Sequence, residues 1–395
     1  MEFWLLSLPL DKTSVASLDK LKRTIAKTNL ATCGKLSIPE LKVGTLDNLL
    51  SVSDNLCQLD TLTESVIKKT CHFMGEVMEQ ASDKVLENGL VNGDHSGVRP
   101  SPSKAYFQAL RVDLVKYVTK FQWDRAKYPT SLPLRVLADN INKQVSQVDA
   151  EFKSRASAYN SIRNSLHSLE RKAEGNLHTR RLNDIVTRED LLESEYLTTL
   201  LVVVARGNYK QWDSTYESFS LFVVPRSSRM LYEDTESGVF SVILFRRAVS
   251  DFRAKAKQSK FTVREYNLEV EDKHLQEIQR LNLDKKEQYG VFVRWLKVNF
   301  KEVFVAWIHL KALRVFVESV LRYGLPVSYQ AFLLQPDRKH VKKLREELSS
   351  LFMHLEPTAM CNKADASYDI PEIIQQEYFS YICFQINTNM LDTGK

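Results

Sequence analysis

Glycine and proline are scarce: 12 and 11 of 395 residues, about 3% each, against averages of about 7% and about 5%. Few glycines disfavour folds that need several tight, phosphate-cradling turns. Long helices with few loops, and no nucleotide site, are therefore expected. Cysteine is also sparse, with five residues at Cys33, Cys57, Cys71, Cys361 and Cys383. Their number is odd, their spacing wide and C-x-x-C absent, so reduced, buried thiols are expected rather than a disulfide framework or a zinc cluster. The chain holds no G-x-x-x-x-G-K-[ST], G-x-G-x-x-G, H-E-x-x-H or G-x-S-x-G, which removes the commonest catalytic and cofactor signatures. No catalytic, cofactor-binding or metal-ligating residue is assigned. Asn-x-Ser/Thr acceptors are missing too, and Glu2 stands where a signal peptide needs a basic residue; both point to a cytoplasmic protein. A long uncharged run is also lacking. The most apolar segment, Val291–Leu325, is broken by charges, and its longest uncharged stretch is Val303–Leu310, far short of the ~20 residues a bilayer requires.

Hydrophobic residues make up 44% and charged residues 26%, an ordinary globular balance. Residues 1–135 read as mixed: a first strand from Met1 ended by Pro9, then helical patterns over Ser14–Asn29 and Thr45–Val91. Ser53 and Asp54 are candidate caps for a break inside the second pattern. A Gly/Pro/Ser-rich loop covers Asn92–Ser103, and a helix covers about Val112–Trp123. Over residues 136–175 two interleaved seven-residue series, Ile141, Val148, Arg155, Ile162, Leu169 and Val145, Phe152, Tyr159, Leu166, form a coiled-coil-like seam with Arg155 as its one exception. Residues 176–266 change period, with strands expected at Tyr196–Ala205, Leu221–Pro225, Gly238–Phe245 and Phe261–Tyr266 and short helices between them. Residues 267–290 carry a charged helix, Glu269–Gln288. In residues 291–395 a long core helix ends at Gly324-Leu325-Pro326, a basic helix covers Asp337–His354, and Tyr378–Ile386 reads as a strand able to pair beside the Met1 strand. The fold class is α+β, helix-rich and elongated: one domain from both chain ends carries a small α+β domain on a two-helix stalk.

Between Arg294 and Arg345 eleven basic residues face three acidic ones, a net +8 within a chain whose total is +6. Lys297, Lys301, Lys311, Arg314, Glu318 and Arg322 recur at helical steps and share one polar stripe. A solvated helix face accounts for much of this. An acidic protein partner or a lipid surface is the sharper alternative, and nucleic acid lacks any accompanying aromatic or helix-turn-helix signature. His309, among Trp307, Ile308 and Leu310, reads as a core histidine. Cys71-His72 is the one Cys–His neighbour pair, and adjacent helical residues point about 100° apart. Val223–Arg229, VVPRSSR, reads as a turn in preference to a docking or phosphorylation site.

Longer motifs resemble a known family. Trp307–Pro326 (WIHLKALRVFVESVLRYGLP), Arg294–Phe300 (RWLKVNF), Lys42–Asp47 (KVGTLD), Lys153–Asn160 (KSRASAYN), Val223–Ser228 (VVPRSS) and Ser194–Leu197 (SEYL) are similar, in this order, to the C-subunit of the vacuolar-type (V-type) proton-translocating ATPase. The resemblance implies a non-catalytic stator subunit: a foot domain from both chain ends (1–135 and 291–395), a neck (136–175 and 267–290) and a head (176–266). It implies peripheral-stalk heterodimers of the E- and G-subunits, the cytoplasmic part of the membrane stator a-subunit, and actin as partners, and a role in reversible assembly at the cytosolic face of acidic organelles. No cofactor is implied. Arg314, Arg322, Lys342, Lys343 and Arg345 are the candidate partner contacts. About 19 residues, Gly93–Arg111, look inserted relative to the family pattern, and Ala205 stands where proline is commoner.

Overall fold

The computed structural model describes residues 1–10, 19, 21–25, 28, 30–89, 102–171, 175–264, 266–326, 328–337, 339–355 and 381–389. These form two compact units, one from Met1–Ser154 with Val291–Lys395 and one from Arg155–Gly290.

The first unit is built on β1 (Glu2–Pro9). Phe3 to Leu8 are all buried, as a strand covered on both faces must be, which is why it reads as a continuous apolar run rather than an alternation. β1 is central in an antiparallel sheet of order β2-β7-β1-β8, with β2 at Ala31–Leu36, β7 at Tyr329–Pro336 and β8 at Ile382–Asn387. Leu5 sits opposite Leu333 on one side and Phe384 on the other, and Trp4 opposite Leu334 and Gln385. The strand expected near the carboxyl end thus does pair beside the first strand.

Besides the helical residues 21–25, the helices that accompany this sheet include α1 (Leu46–Gly89), α2 (Pro102–Thr119), α3 (Leu134–Arg171) up to Ser154, α6 (Leu268–Tyr323) from Val291, and α7 (Val341–Phe352). One sheet face meets α6: Ser7 Oγ lies 2.6 Å from Ser319 Oγ, and Tyr323 Oη donates to Ser7 O at 2.7 Å. A hydroxyl inside an apolar strand is tolerated because it finds this partner. The other face, Trp4, Leu6, Leu8, Phe332 and Leu334, packs with Leu344, Leu348 and Phe352 of α7.

The second unit holds β3 (Leu197–Ala205), α4 (Tyr209–Thr215), β4 (Arg229–Glu233), β5 (Ser237–Phe245), α5 (Val249–Gln258) and β6 (Thr262–Arg264). Its sheet order is β4-β5-β3-β6, all antiparallel. Leu200, Val202 and Val204 pack with Trp212, Phe219 and Phe252, while Leu201 and Val203 pack with Leu177, Leu182 and Val186. β-Branched residues on both faces suit such a doubly covered strand.

Several expectations need correction. No break interrupts α1 at Ser53 or Asp54; Ser53 Oγ instead donates to Glu318 Oε1 of α6 at 2.6 Å, so the hydroxyl serves packing rather than a cap. α2 begins at Pro102 and ends at Thr119, earlier at both ends than its pattern suggests. The charged helix and the core helix are one element, because Gly290 in a helix costs only about 1 kcal/mol and buried Phe292 and Leu296 follow it. Leu221–Pro225 is a turn holding one bridge, Val223 to Leu244. β2, β4 and β7 are strands that the sequence pattern does not announce. In the α3 seam Ile141, Val145, Val148, Phe152, Tyr159 and Leu166 are buried, Ile162 and Leu169 half-buried and Arg155 exposed. The helix expected at Ser14–Asn29 and the loop Asn92–Ser103 fall largely outside the described residues. Among the described residues no helix is long and apolar enough to cross a membrane.

Candidate functional site

Trp307, Lys311 and Arg314 lie at four- and three-residue steps on α6, so they share one helix face. All three turn to a single carboxylate on α1. Trp307 Nε1 donates to Asp60 Oδ1 at 2.7 Å, Lys311 Nζ donates to Oδ2 at 2.8 Å, and Arg314 donates to the same oxygen. The side chains of Asp60, Lys311 and Arg314 are 8%, 6% and 17% exposed. The polar stripe is therefore not a solvated face at these positions. Neighbouring cations pair more openly: Lys301 with Asp113 at 3.4 Å, and Lys297 over the Tyr106 ring at 4.2 Å.

Asp60 is the residue that sequence reading missed. It stands among Leu56, Leu59, Thr63, Val66 and Ile67, all on the buried face of α1. An acid on an apolar stripe is the signal that could have found it, since charges are almost never buried without a partner. The two threonines of that face are satisfied locally, Thr63 by Leu59 O and Thr70 by Val66 O.

Of the five basic residues singled out, the structure brings two together. Arg314 and Arg345 line one cleft of about 660 Å³, with Lys311, Trp307, Glu2 and Glu64. Arg314 lies over the Phe384 ring at 4.3 Å, and Arg345 over the Trp4 ring at 5.5 Å. Trp4 Nε1 donates to Glu2 Oε1 at 2.7 Å. Arg322, Lys342 and Lys343 are exposed and do not line the cleft.

His309 is a satisfied core histidine. Asp124 N donates to its Nε2 at 3.0 Å, its Nδ1 sits 2.8 Å from Val305 O, and Phe121, Trp123 and Tyr128 surround the ring. Burial pushes its pKa down. Cys71 and His72 part company: Cys71 is buried and burial pushes its thiol up to about 12, whereas His72 is exposed beside Glu76. The Val223–Arg229 segment is a turn whose serines are occupied, Ser228 Oγ accepting from Trp212 Nε1 at 2.9 Å and Ser227 Oγ donating to Val224 O at 2.6 Å. Among the described residues no group of three or more His, Cys, Asp or Glu is placed to hold a metal ion.

Comparison with known proteins agrees with the motif resemblance. The profile of the V-ATPase C-subunit family matches residues 3–382. The C 1-B form of this V-type proton ATPase subunit from Danio rerio is 52% identical over 397 residues, covering 99% of each chain. The C 1 form from Xenopus laevis is 50% identical with the same coverage. A crystal structure of the cytoplasmic N-terminal domain of the V-ATPase I-subunit, a homolog of the a-subunit, covers 89% of this chain and 98% of that one at 12% identity, with a TM-score of 0.27, a likeness too weak to define a fold. The chain belongs to the V-ATPase C-subunit family. This is an accessory rather than a catalytic subunit of a proton-transport complex.

Proposed function

We propose that this chain is a stator element of the rotary proton-pumping ATPase. On this reading it links the peripheral-stalk heterodimers of the E- and G-subunits to the cytoplasmic part of the membrane stator a-subunit. Its reversible engagement governs joining of the ATP-hydrolysing and proton-conducting sectors, and so acidification at the cytosolic face of organelle membranes. Residues 1–135 and 291–395 would act as foot, 136–175 and 267–290 as neck, and 176–266 as head, with actin as a further partner. The observation that supports this most is the full-length match, 52% identity across 99% of both chains. Two helices of 38 and 56 residues suit a tether under torque. Modest contacts spread over two domains suit release, because losing one sharply weakens the whole.

The same reading makes exposed Arg322, Lys342 and Lys343 partner contacts, with Arg314 and Arg345 presented at the cleft. The test mixes the full chain with purified stalk heterodimers and with V-ATPase membranes stripped of their own C-subunit. Binding together with restored ATP-driven proton pumping is expected. A chain that binds neither the heterodimers nor the membranes overturns the proposal.

A further inference from the structure

Of residues 93–111, which look inserted in the sequence, 102–111 form the first turns of α2 (Pro102–Thr119). Ser103, Leu110, Leu114 and Val118 are buried and Phe107 is half-buried. Steps of four, three, four and four residues place these five on one helix face. That face runs unbroken across the junction between Arg111 and Val112. A passive surface loop has no reason to keep the helical period of the element it joins; these turns extend the packing stripe of α2.

Tyr106 lies on the flank of the stripe and reaches two other helices. The Lys297 ammonium of α6 sits 4.2 Å from the centre of the Tyr106 ring. Cys71 of α1 is close enough to act on the phenol electrostatically, as is Asp113 of α2. Phe107 meets the same ring edge to face, with centroids 5.4 Å apart. The Tyr106 hydroxyl is buried and has no partner among the described residues; burial pushes it up to about 12. The ring, and not the hydroxyl, therefore makes the contacts. Asp113 pairs with Lys301 at 3.4 Å, so the half-buried Lys297 is set against an aromatic face in place of an acid.

We propose that residues 102–111 are a clamp built into this chain: they fasten α2 across α1 and α6 and hold the Lys297 ammonium against Tyr106. Lys297 is thereby withdrawn from the basic stripe of α6 that a partner can reach, and Cys71 is sealed on α1. Without these turns the same two helices would open both residues to solvent. The clamp acts within the first unit and goes beyond the stator reading, on which it does not depend.

The test measures side-chain reactivity in the full chain by peptide mass spectrometry. Acetic anhydride should acylate Lys297 about fivefold more slowly than exposed Lys342, because a half-buried amine held over a ring is shielded. Deletion of residues 93–111 and the substitution Tyr106→Ala should each bring Lys297 to the Lys342 rate. Both should also speed N-ethylmaleimide labelling of Cys71 about tenfold, since a buried thiol is inert until uncovered. Tyr106→Phe should keep both rates native, because it retains the ring and removes only an unpartnered hydroxyl. Leu110→Ala should lower the thermal midpoint by several degrees through loss of buried side chain. The single substitutions keep the test decisive if the deletion fails to fold. Equal Lys297 rates in the native chain and Tyr106→Ala overturn the proposal. So does a Tyr106→Phe chain that frees Lys297 as alanine does, or a deletion chain whose thermal midpoint and Cys71 rate are unchanged. No readout involves a partner, so a chain that passes these tests but joins no stalk or membrane keeps the clamp and loses the stator reading.

Discussion

Asp60 holds three donors of α6 against α1 from a site that is almost dry. Removing it strands Lys311 and Arg314, and breaking a buried ion pair from one side costs about 3–5 kcal/mol. Asp60→Ala should therefore lower the urea midpoint of the full chain markedly, whereas Glu64→Ala, which removes a pair 58% and 34% exposed, should move it little. A second residue reads out pH. The ring of His309 is kept neutral by burial, with the Val305 carbonyl and Asp124 acting in the opposite sense and Lys127 in the same sense as burial. Its folded pKa lies below the ordinary value near 6.5, so the unfolded chain binds the extra proton. Stability from His309 is complete above about pH 6.5 and erodes as pH falls below it. Urea denaturation between pH 7.5 and 5 should show a shallower loss for His309→Gln than for the native chain. The role of His309 was legible in its apolar neighbours. That of Lys311 and Arg314 was not, because cations at helical spacing look alike whether they face water or an acid 251 residues away, as Lys311 does.

Among the elements, those carried by their own patterns were readable: β1, β3, β5 and β8 as apolar runs, and α3 as a heptad seam. β2 (ATCGKL) and β4 (RMLYE) are half-exposed edge strands with no alternation to announce them, and their existence follows from neighbours distant in sequence. The helix breaks expected at Ser53 and near Gly290 failed for a related reason: packing on both sides outweighs a weak local preference. At Gly290 nothing lies within 4 Å of an added Cβ, so the glycine contributes only backbone freedom. Gly290→Ala should raise stability by about 0.5–1 kcal/mol, seen as a higher thermal midpoint and slower amide exchange in the turns around it. A lower midpoint would mean that α6 needs to bend there. The cleft was legible only in fragments, since Arg314 and Arg345 were singled out but Asp60, Glu2 and the β8 edge that frame them were not.

For the molecule as a whole, the net +6 hides a concentration of positive charge in one region, and exposed Lys342 and Lys343 sit within it. Paired Lys342→Glu and Lys343→Glu changes should leave the fold intact, slow association with the stalk heterodimers and flatten its salt dependence; unchanged association across salt concentrations would remove these lysines from the interface. The order of β2, β7, β1 and β8 also has a temporal side. Leu5, buried at the centre of its sheet, is flanked by Leu333 and Phe384. At a synthesis rate of about 5–20 residues per second, the strand that leaves the ribosome first waits roughly 15–65 s for its first strand partner, with only Leu21, Ile25 and Leu30 of its core cluster following close behind it. The contiguous unit Arg155–Gly290 can complete itself during that interval. Phe3 and Leu5, on the face away from that cluster, and both unpaired edges of the strand therefore spend most of translation uncovered, and chaperone dependence of the nascent chain should trace to these residues.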